Sequence, residues 1–341
     1  MSNIVIEGKS KTKFITMNNG LKMPLVGLGS WQSDNPEEIE LALEKALEAG
    51  YRHFDTATLY KNEDSLGKVF RRWLDQGKVK REELFIVTKL PWNAMRPDLV
   101  EKFLKSSLAR LQVKYVDLYL THWPIGLIYT SDDDLIPMKD GKIMYDKTTD
   151  IEAVWKAMEA QVDAGLAKSI GISNYNIKQV ERIMKMARIP PANQQVEVQT
   201  YFQNKALRQV CEKYNISVCA YGPLGSPGRK TYSFTGIEFN IPDLMDDPVV
   251  KDIAKKHSKT PGQILLKFLV QQNIAVIPKS TNPERLKMNI NIFDFELTQV
   301  DMRRLEGLDK GEAGRSFPGF TDMKEHPECP WFMEKVSTPR R

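Results

Sequence analysis

Short apolar runs alternate with amphipathic helical stretches along most of this chain, and that rhythm restricts the fold more than any other feature. Runs rich in β-branched and aromatic residues fall near 25–28, 52–55, 84–88, 116–120, 168–172, 194–198, 216–220 and 274–277. Such runs read as buried strands. Helical patterns lie between them, near 36–49, 62–76, 97–111, 150–164, 176–187, 203–214, 260–272 and 282–289. A helix after every strand implies parallel neighbours, because the crossover returns each strand in the same direction. Eight such units in 341 residues predict an α/β fold, a (β/α)8 TIM barrel, as a single domain over residues 1–341. An open doubly wound sheet is the second architecture compatible with this order.

Local signals agree with those boundaries. Asn35-Pro36 and Asn282-Pro283 each put a capping side chain before proline in a first helical turn. Gly50 and Gly165 follow helical stretches as stops. An N-terminal β-hairpin is expected to turn at Asn18-Asn19-Gly20. Three segments interrupt the alternation: 123–149, 222–247 with Tyr232, Phe234 and Phe239, and 309–341 with Phe317, Phe320, Trp331 and Phe332. Long loops in a compact fold are usually functional or disordered. The first two follow the fourth and seventh strands, so they overhang the C-terminal rim, and their aromatics are placed to wall an apolar pocket. The tail 309–341 is expected to lie over the same rim.

Composition excludes several classes. A formal charge of +5, with no basic run interleaved with aromatics, argues against a nucleic-acid partner. No apolar run approaches the length of a membrane span, and the first residues show no signal pattern, so a cytoplasmic location is expected. The three cysteines, Cys211, Cys219 and Cys329, match neither a metal site nor a redox pair. Reduced thiols, with Cys219 buried in a strand, and no metal are expected.

On the rim of a parallel sheet, four polar residues would converge: Asp55, Tyr60, Lys89 and His122. A phenol is protonated at neutral pH and can give its proton to an oxygen atom. A neighbouring cation favours the phenolate left behind, and Lys89 is placed to be that cation. Asp55 would hold the ammonium, and His122 would hydrogen-bond the substrate oxygen. The set contains an acid and no nucleophile, so reduction of a carbonyl needs a hydride from a cofactor. Each residue alone has a plainer reading: an ion pair, a packed phenol, a buried histidine. Their convergence carries the chemistry.

The hydride donor does not point to a Rossmann site, because Gly27-Leu-Gly29-Ser30-Trp31 lacks the third glycine of that fingerprint. A better anion site is Ile277-Pro-Lys279-Ser280-Thr-Asn-Pro-Glu-Arg285, a strand end entering a helix N-terminus. It suits a monophosphate such as the 2′-phosphate of NADPH. Ser173, Asn174 and Gln195 offer polar groups for a carboxamide, Tyr221 a ring for stacking, and Pro223-Leu224-Gly-Ser226 backbone amides for a pyrophosphate.

These stretches together resemble the aldo-keto reductases. The likeness is carried by Gly27-Leu-Gly-Ser-Trp, Tyr51-Arg-His-Phe-Asp-Thr-Ala-Thr-Leu-Tyr-Lys-Asn-Glu, Val87-Thr-Lys-Leu, Leu120-Thr-His-Trp-Pro, Gly171-Ile-Ser-Asn-Tyr-Asn, Ala220-Tyr-Gly-Pro-Leu-Gly-Ser-Pro and Ile277-Pro-Lys-Ser, over roughly residues 14–310. The resemblance implies a barrel that binds NADPH (NADP+) across its C-terminal rim and reduces an aldehyde or ketone. It implies Asp55, Tyr60, Lys89 and His122 as a catalytic tetrad, with Tyr60 as general acid. Cofactor contacts are implied at Gly29, Ser30, Trp31, Asp55, Ser173, Asn174, Gln195, Tyr221, Leu224, Ser226, Lys279, Ser280, Arg285 and Asn289. Substrate contacts are implied at Trp31, Tyr60, His122 and Trp123. The expected partner is a small hydrophobic carbonyl compound, a steroid-like ketone such as a 3-dehydroecdysteroid, acted on by a monomer. A non-catalytic NADPH-binding regulatory or structural protein on the same barrel is the alternative. Three departures stand out: Met288 where many relatives have Glu, Pro91 before Trp92, and a long tail.

Overall fold

Hydrogen-bond pairing turns the strand–helix rhythm into a closed barrel. The computed structural model describes residues 13–227, 243–317 and 322–331. The chain opens with the expected hairpin, β1 (Phe14–Thr16) against β2 (Lys22–Pro24), Phe14 opposite Pro24. Gly20 in its turn has φ 85°, a conformation glycine adopts without strain. Next come β3 (Leu28–Gly29), β4 (His53–Asp55), β5 (Phe85–Leu90) and β6 (Leu118–Thr121). A small antiparallel ribbon, β7 (Met138–Lys139) and β8 (Lys142–Ile143), lies in the loop after β6. The barrel resumes with β9 (Ile170–Ser173), β10 (Asn193–Glu197), β11 (Ser217–Tyr221) and β12 (Ala275–Val276).

The parallel order is β3-β4-β5-β6-β9-β10-β11-β12. Its two ends meet: Val26 bridges Val276 and Gly29 bridges Lys279, both parallel. The Gly27 amide donates to the Val276 carbonyl and the Val276 amide to the Leu25 carbonyl, each at 2.8 Å. This closure excludes the open doubly wound sheet. Gly29 is required at the seam, since a Cβ there would stand 2.6 Å from the Ile277 carbonyl oxygen.

The helices are α1 (Pro36–Ala49), α2 (Glu63–Asp75), α3 (Val100–Leu111), α4 (Ile151–Asp163), α5 (Ile177–Met186), α6 (Lys205–Lys213), α7 (Pro248–His257), α8 (Pro261–Val270), α9 (Pro283–Ile290) and α10 (Gln299–Glu306). In α1 the Asn35 side chain accepts from the Glu38 amide, and Gly50 stops the helix at φ 100°. Its Ile39, Ala42, Leu43, Ala46 and Leu47 are buried, the spacing of one helical face. Each fully buried Leu or Ile contributes about 1.5–3 kcal/mol.

Two helices were not expected. The first, α7, starts where Asp247 caps Pro248 and buries Val250, Ile253 and Ala254; the second, α10, starts at a Thr298 capping box. Both pack outside the strand–helix repeat. The helix expected from 97 begins at Val100, and the first barrel strand is confined to Leu28–Gly29 with bridges at its flank. One large apolar cluster fills the barrel and the layer beneath its helices. A second gathers Trp92, Trp123, Ile125, Leu127 and Met323 under the tail. All three cysteines are free, with Cys219 buried in β11. Among the described residues no helix is long and apolar enough to cross a membrane.

Candidate active site

Parallel register brings the polar strand ends to one rim. Asp55 closes β4 and pairs with Val87 of β5, so Lys89 lies two residues further along the same face. His122 follows β6, and Tyr60 ends a tight 3-10 turn, Thr58–Tyr60. Lys89 is wholly buried, and its Nζ donates to Asp55 Oδ1 at 2.6 Å and to the Thr56 carbonyl at 2.9 Å. Gln195 Nε2 donates to the other Asp55 oxygen at 2.7 Å. The Tyr60 hydroxyl and His122 Nε2 lie 3.5 Å apart, their rings edge to face at 5.5 Å. The Lys89 ammonium stands 4.8 Å from the Tyr60 ring centroid.

Burial sets the protonation states. It holds His122 well below the ordinary imidazole range, and the Lys89 charge adds to this, so the ring is neutral. His122 Nδ1 is buried without a partner. Burial, then the Asp55 charge, pushes the Tyr60 phenol well above its usual value. The Lys89 ammonium donates to Asp55 and Thr56 and meets Tyr60 over the face of its ring. Desolvation draws Lys89 below the usual ammonium range, and Asp55 opposes it.

A second group adjoins the first. Asn174, at φ 64° just past β9, donates to the His122 carbonyl at 3.0 Å and to Ser173 Oγ at 3.2 Å. Tyr221 at the end of β11 donates its hydroxyl to Asn174 Oδ1 at 2.7 Å. Ser173, Asn174 and Gln195 are buried. Ser30, also buried, donates Oγ to the Asp55 carbonyl at 2.9 Å. Trp31 packs on Phe317 at 5.4 Å, and Phe317 meets Tyr221 at 5.3 Å. Trp123 lies between Trp92 at 5.2 Å and Trp331 at 5.0 Å. The tail thus reaches the rim at Phe317 and Trp331, while Tyr232, Phe234, Phe239, Phe320 and Phe332 lie outside the described residues.

Sequence reasoning missed the anchor of that tail. Glu197, the last residue of β10 and fully buried, accepts from the Ser316 amide at 2.6 Å and the Phe317 amide at 2.9 Å. Its only signal was a carboxylate ending the run Asn193–Glu197. Arg315 lies over the Phe202 and Trp331 rings at 4.1 and 4.2 Å.

The remaining predicted residues form a separate corner. Lys279 and Arg285 are exposed, Ser280 is buried, and Asn282 caps α9 by accepting from the Arg285 amide at 3.0 Å. Asn289 is buried on the same helix. Leu224 lies inside, and Ser226 follows, a tight turn in which the Gly225 amide donates to the Gly222 carbonyl at 2.9 Å. Among the described residues neither Lys279 nor Arg285 takes part in an ion pair, whereas Lys287 on the same helix pairs with Glu284. Two unpaired cations beside a buried hydroxyl and a helix N-terminus fit a phosphate. The buried amide and hydroxyl group at Ser173, Asn174 and Gln195 fits a carboxamide, so the rim suits an extended nicotinamide dinucleotide.

The sequence pattern of the aldo/keto reductase family matches residues 25–310. Aldo-keto reductase family 1 member A1-A of Danio rerio is 42% identical over 304 residues, covering 88% of this chain and 91% of the relative. Dihydrodiol dehydrogenase 3 of Bos taurus is 40% identical, covering 95% of this chain and 99% of the relative. The structure of the aldose reductase from Schistosoma japonicum superposes with a TM-score of 0.84 at 39% identity, covering 92% of this chain and 97% of that one. Proteins of this kind are oxidoreductases acting on carbonyl groups, and they use nicotinamide cofactors. The chain belongs to the aldo/keto reductase family.

Proposed function

We propose that this protein reduces an aldehyde or ketone to an alcohol with NADPH, and that Tyr60 delivers the proton. The observation that carries this reading is the buried Lys89–Asp55 pair set against the Tyr60–His122 pair. His122, neutral, can hydrogen-bond a carbonyl oxygen without competing as an acid. Tyr60 keeps its proton at neutral pH and aims its hydroxyl at the same point, 3.5 Å from His122 Nε2. Such contacts tighten when substrate binds. The chemistry that a dihydronicotinamide supplies when bound is a hydride for the carbonyl carbon. As negative charge grows on the oxygen, Tyr60 gives up its proton, and the Lys89 cation favours the phenolate that remains. Ser173, Asn174 and Gln195 would hold the carboxamide, Tyr221 would stack on its ring, and Leu224 and Ser226 would strap the pyrophosphate. Lys279, Ser280 and Arg285 would bind the 2′-phosphate, with Asn289 at the adenine and Gly29, Ser30 and Trp31 beside the nicotinamide.

Trp31 and Trp123, with Trp92 and Phe317 behind them, favour a hydrophobic substrate, and a steroid-like ketone such as a 3-dehydroecdysteroid is the specific proposal. A relative named for acting on a dihydrodiol supports a bulky alicyclic class. The working unit is one domain of residues 1–341, acting as a monomer. The test is the loss of NADPH absorbance with a panel of aldehydes, aliphatic ketones and steroid ketones. Turnover of steroid ketones at low KM supports the specific reading. No oxidation of NADPH with any carbonyl, despite tight binding, would favour a regulatory or structural protein on this barrel.

A further inference from the structure

Behind the tetrad, on the outer side of the same strand, sits a carboxylate that touches neither catalytic group. Glu63 is the first residue of α2, three residues after Tyr60, and its side chain is fully buried. It accepts from Thr88 Oγ1 at 2.5 Å, Ser107 Oγ at 3.1 Å, and Arg110 at 2.9 and 2.7 Å through Nε and Nη2. Thr88 is the residue immediately before Lys89 in β5. Ser107 and Arg110 lie one turn apart on α3 and both reach Thr58, at 3.0 Å from Ser107 Oγ and 3.4 Å from Arg110 Nη2. Thr58 begins the 3-10 turn that ends at Tyr60. The approach of α2 to α3 depends on Gly67, where a Cβ would fall 2.1 Å from the Arg110 carbonyl oxygen.

One carboxylate therefore grips the backbone neighbour of the ammonium and, through α3, the turn that carries the phenol. We infer that Glu63, with Arg110, Ser107 and Thr88, is a positioning unit that sets the Tyr60–Lys89 geometry. This rests on the reading of Tyr60 as the acid. A buried charge with four donors is costly to disturb and holds its partners in one arrangement. Small misplacement of catalytic groups slows the chemical step while leaving remote binding intact. Glu63 also acts electrostatically, since its negative charge favours the ammonium form of Lys89.

The test compares wild type with Glu63→Gln and Ser107→Ala, the second a milder change that removes one link. Measured are thermal unfolding, NADPH affinity by tryptophan fluorescence, and kcat against pH with a reactive aromatic aldehyde. The expected result is a fall in kcat of about tenfold in E63Q and a smaller one in S107A. NADPH affinity should stay within about twofold, because Glu63 bonds Thr88, Ser107 and Arg110 and none of the residues proposed to hold the cofactor. The alkaline limb of the E63Q kcat profile should move to lower pH, a shift that loosened packing alone does not cause. The inference is overturned if kcat and the alkaline limb are unchanged in folded E63Q, or if NADPH affinity falls in parallel with kcat. If E63Q does not fold, S107A decides: unchanged kcat there overturns the inference. Absence of turnover in wild type instead removes the reductase reading itself, and the two failures are distinct.

Discussion

Two corners of the same rim are built in opposite ways. At the tetrad, Asp55, Lys89 and His122 are buried, and hydrogen bonds of 2.6–3.5 Å tie Lys89 to Asp55 and Thr56, and Tyr60 to His122. At the start of α9, Lys279 and Arg285 are exposed and have no ion-pair partner among the described residues, while Ser280 between them is buried. The first corner is pre-organised, and its charges are locked by low dielectric. The second presents exposed cations to water, where attraction to a phosphate is real but screened. A proton donor has to be placed to a fraction of an ångström, whereas a phosphate needs mainly charge and amides.

The largest expected effect tests the first corner. Tyr60→Phe should lower kcat by about 10³-fold and leave NADPH affinity within about twofold, read by steady-state kinetics and fluorescence titration. Near-normal turnover in that variant would refute the acid assignment. Next in size, Asp55→Ala leaves the buried Lys89 charge without its partner and should cost about 3–5 kcal/mol of stability in urea unfolding. Arg285→Ala, in the exposed corner, should change stability by less than about 0.5 kcal/mol. Equal losses at the two sites would erase the contrast.

Smaller, and confined to the second corner, Lys279→Ala or Arg285→Ala should raise the KM for NADPH about tenfold and leave the KM for NADH nearly unchanged. Equal effects on both cofactors would place the 2′-phosphate elsewhere. The gentlest test is pH. Burial lowers the values of His53 and His122 from the ordinary 6.5. Below 6.5 the unfolded chain binds protons that the folded chain refuses, so stability is complete above that pH and declines as pH falls toward the lowered native values. The slope is about 1.4 kcal/mol per pH unit for each histidine. His122→Asn should flatten the slope by one histidine's share, and an unchanged slope would mean His122 titrates normally.

Much of this molecule is legible in its sequence. The eight strands and their helices follow from periodicity, and Asn35, Asn282, Gly50 and Gly20 do locally what their residue types favour. Other features carried signals that the strand–helix rhythm masked. Asp247-Pro248 followed by Val249, Val250, Ile253 and Ala254 is a capped amphipathic start, yet α7 falls between the loop 222–247 and the helix expected from 260, where the repeat calls for no element. The ribbon β7–β8 has only two residues per strand, too short for a period to show. The grip of Glu197 on the tail joins residues 119 and 120 positions apart, and no local pattern announces such a contact.

By itself, the order of residues determined a parallel α/β architecture and which polar side chains stand at strand ends, because side-chain periodicity and capping act over a few neighbouring residues. Only the tertiary structure decided that the sheet closes at Val26 and Val276, that Lys89 donates to Asp55 and Thr56, and that Glu63 stands behind Thr88 and Thr58. Those outcomes depend on burial and on contacts between distant segments. Desolvation, which raised Tyr60 and lowered His122, is a property of the assembled interior and of no residue alone.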